Sequence, residues 1–292
     1  MAFDTVMSVD WSASSIPKRG SDSCWVASMR LRGARRWMVE NPATRLAAME
    51  TIRNVIDDEM RAGRRCLIVI DVSLGFPAGT ADVLGLRSRP RWRAMWRALE
   101  SRSTDTPENV NNRIAVADAL NVESGVRLFW GRPAATSFDQ FQNVPIRNLA
   151  VPGLAENALA PLRRSEALAG GGVQSNWMLV GRGAVGGQVL TCLPHLERLV
   201  SDLEGAIAVW PFCGLSDPGT PVVLAETWHS LFPFDEQGSS CRDEAQVRGT
   251  AEAFRARNAD LGSYFAPPSL VALSRAEQGR ILDEEGWTLG VL

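Results

Sequence analysis

The sequence has few of the side chains that serve most often as general bases and metal ligands. It contains two histidines, His195 and His229, and a single lysine, Lys18. Chemistry that needs a cluster of histidines is therefore nearly excluded, and carboxylates become the natural candidates for a reactive site. The five cysteines are scattered and form no Cys-x-x-Cys pair. This pattern argues against a zinc site or a disulfide framework and for reduced thiols in a cytosol.

Long apolar segments and a strong net charge are also missing. No run approaches the roughly 20 apolar residues that a membrane helix needs, and the first residues lack the basic and apolar regions of a signal peptide. We therefore expect a cytoplasmic protein without a membrane partner. The net charge is −2, so no overall field attracts nucleic acid.

The sequence does contain the alternation of β-rich and helical segments that is typical of an α/β protein. A first strand is predicted at residues 5–9, and a hairpin at residues 24–39 with its turn at Gly33. Asn41 and Pro42 then predict a helix N-terminus. The apolar run at Cys66–Ile70 suits a central strand buried on both faces. Further elements are predicted as strands at residues 206–212 and 221–227 and as a helix at residues 240–258.

The middle of the chain, from about residue 75 to 205, is harder to assign. Residues 90–100 and 109–121 are predicted to be helical, and the three glycines at 170–172 suggest a hinge. The flanking segments do not differ in composition, so we expect one domain, residues 1–292, with a large, mostly helical insertion after the fourth strand.

Acidic residues occur at the carboxyl ends of the predicted strands, where α/β proteins bind ligands. Asp10, Asp71 and Glu226 each occupy such an end, and Asp243 lies on the apolar stripe of its helix and should face the sheet. Mg²⁺ and Mn²⁺ prefer oxygen ligands, and phosphodiester cleavage commonly uses such ions held by three or four carboxylates. The sequence therefore predicts a Mg²⁺ or Mn²⁺ site at these four acids.

Three of the four acids also have a purely structural interpretation. Asp10 and Asp71 suit turns, and Ser240 with Asp243 fits a capping box. Glu50, beside the apolar stripe of the first long helix, is a weaker candidate ligand. Four acids at matched positions of one topology favour a site.

The order of elements and the acids resemble the RNase H-like superfamily, and more narrowly a domain-of-unknown-function family described as predicted RNase H-like nucleases. The matching segments are VMSVDWS with Asp10, LIVIDVSLGFP with Asp71, LRRSE with Arg163 and Glu166, VVLAETWHSLF with Glu226, and CRDEAQV with Asp243. The resemblance implies an RNase H-like mixed sheet flanked by helices. It also implies that the four acids are catalytic metal ligands and that Arg163 and Glu166 line the substrate side.

Two further residues are candidates for substrate contacts. Ser12 lies beside Asp10 and is placed to touch a phosphate. His229 follows Glu226 by three residues and suits a substrate contact, a proton shuttle or a metal ligand. The alternative for His229 is a hydrogen-bonded residue at a strand end.

The segment Gly181-x-Gly183-x-x-Gly186 has the pattern of a dinucleotide or phosphate loop. The strand that follows carries no acid at its end to bind a ribose, so a tight turn or a contact with a substrate phosphate is favoured.

Another feature that could bind phosphate is the arginine-rich segment 87–102, which contains Trp92 and Trp96. It suits either a phosphate-binding and base-stacking surface or an amphipathic helix whose tryptophans pack inward.

These observations favour a metal-dependent phosphodiesterase, nuclease-like, that acts on nucleic acid or a nucleotide-like substrate. One alternative is an enzyme of phosphate- or nucleotide-containing metabolites that uses the glycine loop at residues 181–187. Another is a non-catalytic scaffold or accessory protein of the same fold. The expected partner is nucleic acid or a phosphate-containing small molecule.

Overall fold

The computed structural model of this 292-residue chain describes residues 3–32, 36–131, 159–181 and 183–291. The predicted turn at Gly33, residues 132–158 of the predicted insertion and Arg182 of the glycine loop lie outside these residues. None of the helices that the structure describes has the length and apolar composition needed to span a lipid bilayer.

Six strands form one mixed sheet within the described residues, in the order β3-β2-β1-β4-β6-β5. β2 is antiparallel to both β3 and β1, whereas β4, β6 and β5 are parallel to β1. The strands are β1 (Thr5–Asp10), β2 (Trp25–Arg30), β3 (Trp37–Glu40), β4 (Cys66–Ile70), β5 (Ile207–Trp210) and β6 (Val222–Glu226). This architecture confirms the expected α/β class with a mixed sheet flanked by helices.

Helices cover the sheet and connect its strands. They are α1 (Arg45–Arg61), α2 (Thr80–Val83), α3 (Arg91–Glu100), α4 (Arg113–Ser124), α5 (Arg164–Ala169), α6 (Gly186–Asp202), α7 (Arg242–Ala256), α8 (Leu261–Phe265), α9 (Pro268–Val271) and α10 (Arg275–Arg280). A 3₁₀ turn at His229–Leu231 and a π-helical turn at Ile281–Glu285 complete the set.

The first long helix begins later than the sequence predicts. Thr44 is the N-cap of α1, and its side chain accepts a hydrogen bond from the Ala47 amide. The prediction of an N-cap at Asn41 is therefore wrong. The Asn41 side chain instead bonds the loop before β2, including the Cys24 carbonyl oxygen at 2.6 Å and the Gly20 amide at 2.6 Å.

The sheet separates two apolar clusters, and the alternation of side chains along each strand decides which cluster a residue joins. Val9 and Ile70 pack in the larger cluster with α1, α3, α4 and α6. Val6 and Val69 pack in the second cluster with α7 and the C-terminal helices. A shift of one residue along a strand therefore moves a side chain to the opposite face.

The arginine-rich segment is an amphipathic helix, as one of its two interpretations predicted. Trp92 meets Trp96 edge to face at 4.8 Å between ring centroids and stacks on Phe212 at 4.6 Å. The indole N–H of Trp96 donates to the Leu74 carbonyl oxygen at 2.8 Å. The arginines of the segment form ion pairs with carboxylates. These pairs join Arg87 and Arg91 to Asp82, Arg89 to Asp283, Arg93 and Arg97 to Glu197, and Arg102 to Glu123.

The π-helical turn and the residues after it fasten two parts of the fold. The carboxylate of Glu284 accepts the amides of Gly79 at 2.8 Å and Ala81 at 2.6 Å, at the start of α2. The Leu289 amide donates to the Glu226 carbonyl oxygen at 2.8 Å, which extends the pairing at the end of β6. This segment therefore closes the edge at which the strands end.

Candidate functional site

Asp10 and Asp71 lie side by side at the carboxyl ends of β1 and β4. Val9 is paired with Ile70, so the two aspartates are the next residues in parallel register. The Asp71 amide donates to the Val9 carbonyl oxygen at 3.0 Å. Both side chains project from the sheet face that carries α7, and both retain partial solvent access.

Asp243 approaches these two acids from the first turn of α7, the helix that packs across β1 and β2. Its Oδ2 accepts the Asp22 amide at 2.6 Å, which ties the helix to the loop after β1. The predicted capping box of Ser240 and Asp243 is wrong, because the amide and hydroxyl of Ser240 donate to Glu244 instead, at 2.8 and 2.7 Å. The Asp243 carboxylate is thus left facing the sheet, as its position on the helix stripe predicted.

The charges of the three aspartates act on one another. Desolvation raises the pKa of Asp10 well above its usual value, and the charges of Asp71 and Asp243 raise it further. Desolvation also raises the pKa of Asp71, although the His229 ring and backbone N–H oppose this. The charges of Asp71 and Asp243 thus act on Asp10, and the charge of Glu226 acts on Asp71.

Glu226 lies at the same sheet edge but on the opposite face. It is paired with Ile70, whereas Thr227 is the residue level with Asp71, and the Thr227 amide donates to the Ile70 carbonyl oxygen at 2.9 Å. The Glu226 side chain consequently projects with Ile70, away from the face of Asp10 and Asp71. The sequence placed Glu226 at a strand end correctly but gave no information on this register.

The carboxylate oxygens of Glu226 are occupied by hydrogen bonds. Arg163 donates to both of them in a two-pronged ion pair, with Nη1 to Oε2 at 2.7 Å. The Leu74 amide donates to Oε2 at 2.9 Å and the Thr288 hydroxyl to Oε1 at 2.8 Å. Four donors fill the four lone-pair positions of a carboxylate, so this geometry favours a structural role, and metal ligation by Glu226 stays a prediction.

Arg163 is fully buried, and each of its guanidinium N–H groups has an acceptor. Nε donates to Glu166 at 2.8 Å, Nη1 to Glu226 and to the Glu285 carbonyl oxygen, and Nη2 to Glu226 and the Ser73 hydroxyl. Glu166 in turn accepts the Arg163 amide at 2.8 Å. Burial raises the pKa of Glu166, although the charge of Arg163 opposes the shift. Arg163 therefore has no donor left for a phosphate, and its predicted substrate contact is not favoured by this arrangement.

Ser12 is buried and organises the loop after β1. Its hydroxyl donates to the Asp22 carbonyl oxygen at 2.9 Å and accepts the Ser14 amide at 3.2 Å. Asp22 is a residue that the sequence gave no reason to single out. It lies in a polar loop without a spacing pattern, yet its amide binds Asp243 and its charge acts on Asp10.

His229 lies beneath the three aspartates. Its amide donates to Asp71 Oδ2 at 3.2 Å, and its Nδ1 lies 2.9 Å from the Thr250 hydroxyl. Its Nε2 is buried and has no hydrogen-bond partner within the described residues. Burial lowers the pKa of His229, against the opposing charges of Asp71 and Asp243. The backbone N–H of His229 therefore fixes the position of Asp71, while its ring is buried against Thr250.

A cleft of about 200 Å³ opens beside Asp71, between the strand ends and the loop before α6. Asp71, Glu166, Gly183, Gln188 and Trp228 are among the residues that line it. Gln188 is a further residue that no motif in the sequence indicated, and Trp228 lies within the segment VVLAETWHSLF but had no role assigned to it. The cleft joins the predicted acid site to the predicted glycine loop.

The last glycine of that loop is required by packing. A Cβ atom at Gly186 would lie 2.5 Å from the Asn176 carbonyl oxygen and 2.7 Å from that of Met178. The Gly186 amide donates to the Met178 carbonyl oxygen at 2.9 Å. These contacts support the interpretation of the motif as a tight turn at the start of α6.

The three aspartates offer carboxylate oxygens, which are the ligands that a hard divalent cation prefers. Within residues 3–32, 36–131, 159–181 and 183–291, no group of three or more His, Cys, Asp or Glu side chains is arranged to hold a metal ion. Mg²⁺ or Mn²⁺ binding therefore stays a prediction.

Comparison of the chain with protein-family models, with curated proteins and with solved structures gives no significant match. The resemblance to predicted RNase H-like nucleases accordingly also stays a prediction.

Proposed function

We propose that this chain is a metal-dependent phosphodiesterase with an RNase H-like fold, which binds Mg²⁺ or Mn²⁺ through Asp10, Asp71 and Asp243. The observation that carries the proposal is the convergence of three acids at one edge of the sheet: Asp10 and Asp71 follow the paired residues Val9 and Ile70, and Asp243 lies in the first turn of α7. Desolvation and then the charges of Asp71 and Asp243 raise the pKa of Asp10, in agreement with this placement. A cation bound between carboxylates at a ligand-binding edge offsets their mutual repulsion.

The sheet supports the RNase H-like part of this proposal. An antiparallel unit, β3-β2-β1, is continued by parallel strands, β4-β6-β5, and the two halves meet at β1 and β4. Asp10 and Asp71 end those two central strands, as the resemblance implies. Glu226 and Arg163 then form the buried support behind the site.

Each residue of the site would have a separate role. Asp10 and Asp71 would hold the cation, and Asp243 would complete its shell from α7. A bound divalent cation lowers the pKa of a water molecule and stabilises charge on phosphoryl oxygens. The His229 amide would keep Asp71 oriented through its hydrogen bond to Oδ2, while Trp228 and Gln188 would shape the cleft for the substrate.

A second candidate is an enzyme that acts on a small phosphate-containing metabolite. The cleft beside Asp71 has a volume of about 200 Å³ and reaches Gly183 of the glycine loop. A cleft of this size suits a small ligand better than a long polymer. The two candidates share the metal site and differ in the size of the substrate.

The test is Mn²⁺ binding measured by calorimetry on the wild type and on Asp10→Asn, Asp71→Asn and Asp243→Asn. Glu50→Gln is the matched control, because Glu50 is an exposed acid on α1. We expect the wild type and the control to bind Mn²⁺ and the three aspartate variants to lose binding while remaining folded. Absence of binding by the wild type would reject the proposal.

A screen for hydrolysis of single-stranded DNA, RNA and a small aryl phosphodiester would follow a positive result. Cleavage of the polymers supports the first candidate. Cleavage confined to small phosphoesters supports the second.

A further inference from the structure

Strand β3 forms one edge of the sheet within the described residues, where β2 is the only strand paired with it. Its four residues are half-buried or exposed. The strand at the opposite edge, β5, is covered by the rest of the chain. Val209 and Trp210 are buried there, and the Trp210 indole N–H donates to the Phe265 carbonyl oxygen at 3.1 Å. The two edges of the sheet therefore differ, and the β3 edge lies at the surface.

The main chain of β3 is oriented to bind a further strand. The Arg30 amide donates to the Arg36 carbonyl oxygen at 3.0 Å, so the main-chain groups of Arg36 face β2. Because this direction alternates along an antiparallel strand, the N–H and C=O groups of Trp37 and Val39 face the outer edge. The strand contains no proline, and its pairing with β2 contains no bulge, although both devices commonly protect an exposed edge.

The side chains of β3 form a self-complementary pattern about Met38. Arg36 precedes Met38 by two residues and Glu40 follows it by two, and both charged side chains are exposed. Trp37 and Val39 lie on the other face of the sheet, packed against an apolar cluster that includes α7. If two copies of this strand are placed antiparallel about a two-fold axis at Met38, each Arg36 lies opposite the Glu40 of the other copy.

The main-chain directions select the same register. With the axis at Met38, Trp37 lies opposite Val39 of the second copy, and these residues carry the outward N–H and C=O groups. Each such pair can exchange two N–H···O=C hydrogen bonds. Arg36 and Glu40 then form a pair without main-chain hydrogen bonds, in which facing side chains lie closest together. Hydrogen bonding and charge therefore agree on one symmetric register.

We infer that β3 is the interface of a homodimer, in which two copies pair antiparallel through residues 36–40 and join their sheets into one. A second copy supplies both the outward main-chain groups and the inverse order of charges, whereas an unrelated peptide would have to match both.

The geometry of this dimer leaves both aspartate sites uncovered. Strand β3 runs parallel to β1, so its carboxyl end lies at the edge of the sheet that carries Asp10 and Asp71. A two-fold axis at Met38 therefore places the two sites at opposite edges of the joined sheet. The inference does not depend on the proposed function.

The experiment is sedimentation velocity of the full chain, from low to high micromolar concentration. Arg36→Glu and Glu40→Arg each place like charges opposite one another, and the double variant that carries both changes restores opposite charges. Val39→Pro removes an outward N–H group, a change that an edge strand tolerates. Arg280→Glu, at an exposed arginine of α10, is the matched control. Far-UV circular dichroism and urea unfolding establish that each variant is folded.

We expect the wild type and Arg280→Glu to dimerise with equal Kd. Each single reversal at Arg36 or Glu40 should raise the Kd about tenfold, because two favourable cross-strand pairs become unfavourable. High salt should reduce this effect. The double variant should dimerise again. An equimolar mixture of Arg36→Glu and Glu40→Arg should form a heterodimer, and Val39→Pro should stay monomeric and folded.

A wild type that is monomeric over the whole concentration range would overturn the inference, also if β3 binds a peptide of another protein. A dimer that persists in Val39→Pro and in both single reversals would overturn it too, because such a dimer uses another surface. The mixture provides the sharpest test. Dimerisation of the double variant without association of the two single variants would place the charge effect within one chain and reject the pairing.

Discussion

Glu226 and Asp71 end neighbouring parallel strands one residue out of step, because Glu226 is paired with Ile70. Their carboxylates therefore leave the sheet on opposite faces. One face carries three aspartates that repel one another, and the other carries a carboxylate that is fully bonded to Arg163 and its neighbours. The two faces should respond to mutation in opposite ways.

On the Arg163 face, Glu226→Gln should lower the free energy of unfolding by about 3–5 kcal/mol, because it leaves the buried Arg163 charge without its main partner. Urea unfolding measures this change. The folded fraction of the variant should bind Mn²⁺ as the wild type does. A variant of normal stability that has lost Mn²⁺ binding would make Glu226 a metal ligand and contradict its structural role.

On the aspartate face, Asp10→Asn should raise the free energy of unfolding at neutral pH by about 1–3 kcal/mol, the usual penalty of an uncompensated buried polar group. The pKa of Asp10 is raised in the folded state by desolvation and neighbouring charges. The unfolded chain therefore releases this proton at a lower pH than the folded chain does. Stability of the wild type falls as pH rises from the usual carboxyl pKa to the raised one.

The difference in free energy of unfolding between Asp10→Asn and the wild type should accordingly vanish below the usual carboxyl pKa, where Asp10 is protonated in both the folded and the unfolded chain. Saturating Mn²⁺ should stabilise the wild type and leave the variant unchanged. Thermal and urea unfolding across pH test both statements, with Glu50→Gln as control. A variant less stable than the wild type at neutral pH would refute the expected repulsion.

Asp105 has the opposite dependence on pH. Desolvation raises its pKa, but the hydrogen bonds and charges of Arg45 and His195 outweigh this and lower the pKa overall. Its contribution to stability is present above the usual carboxyl pKa and is lost as pH falls through the lowered value. Asp105→Asn should cost about 3–5 kcal/mol at neutral pH, since Arg45 is buried.

The difference between the wild type and Asp105→Asn should shrink in acid, at a pH below the lowered pKa of Asp105. Urea unfolding at neutral and acidic pH measures it. An equal difference at both pH values would show that packing, and not the ion pair, accounts for the loss.

The glycine loop yields a prediction that separates packing from ligand binding. Gly186→Ala places a Cβ atom 2.5 Å from the Asn176 carbonyl oxygen and should lower the free energy of unfolding by about 1–3 kcal/mol. Gly262 of α8 has open space at its Cβ position, so Gly262→Ala should be neutral or stabilising by about 0.4–1 kcal/mol. Equal stability of Gly186→Ala and the wild type would remove the packing explanation.

Much of the sheet follows from local sequence patterns. The buried run Cys66–Ile70 is β4 with its bounds as predicted, and the segment at 221–227 contains β6. Asp10, Asp71 and Asp243 were found because strand ends and a helix stripe are local features. The apolar residues 177–180 contribute only one bridge within the described residues, between Trp130 and Met178, because tertiary pairing decides whether an apolar run becomes a strand.

Other properties of the site depend on contacts between distant segments. The register of β6 against β4, which turns Glu226 away from the aspartates, is fixed by packing and not by the residues near Glu226. The burial of Arg163 depends on Ser73, Glu226 and Glu285, which are far apart in sequence. A motif that contains Arg163 therefore cannot distinguish a phosphate contact from a buried ion pair.

Residues 284–289 form hydrogen bonds with Glu226 and with the start of α2, and these bonds have a consequence for biosynthesis. Until this segment has left the ribosome, the Thr288 hydroxyl cannot donate to Glu226, and the Glu284 carboxylate cannot accept the Gly79 amide. Arg163 likewise waits for the Glu285 carbonyl oxygen. The support behind the aspartates is therefore completed only after this segment has been translated, and until then Glu226 and Arg163 each lack one hydrogen-bond partner.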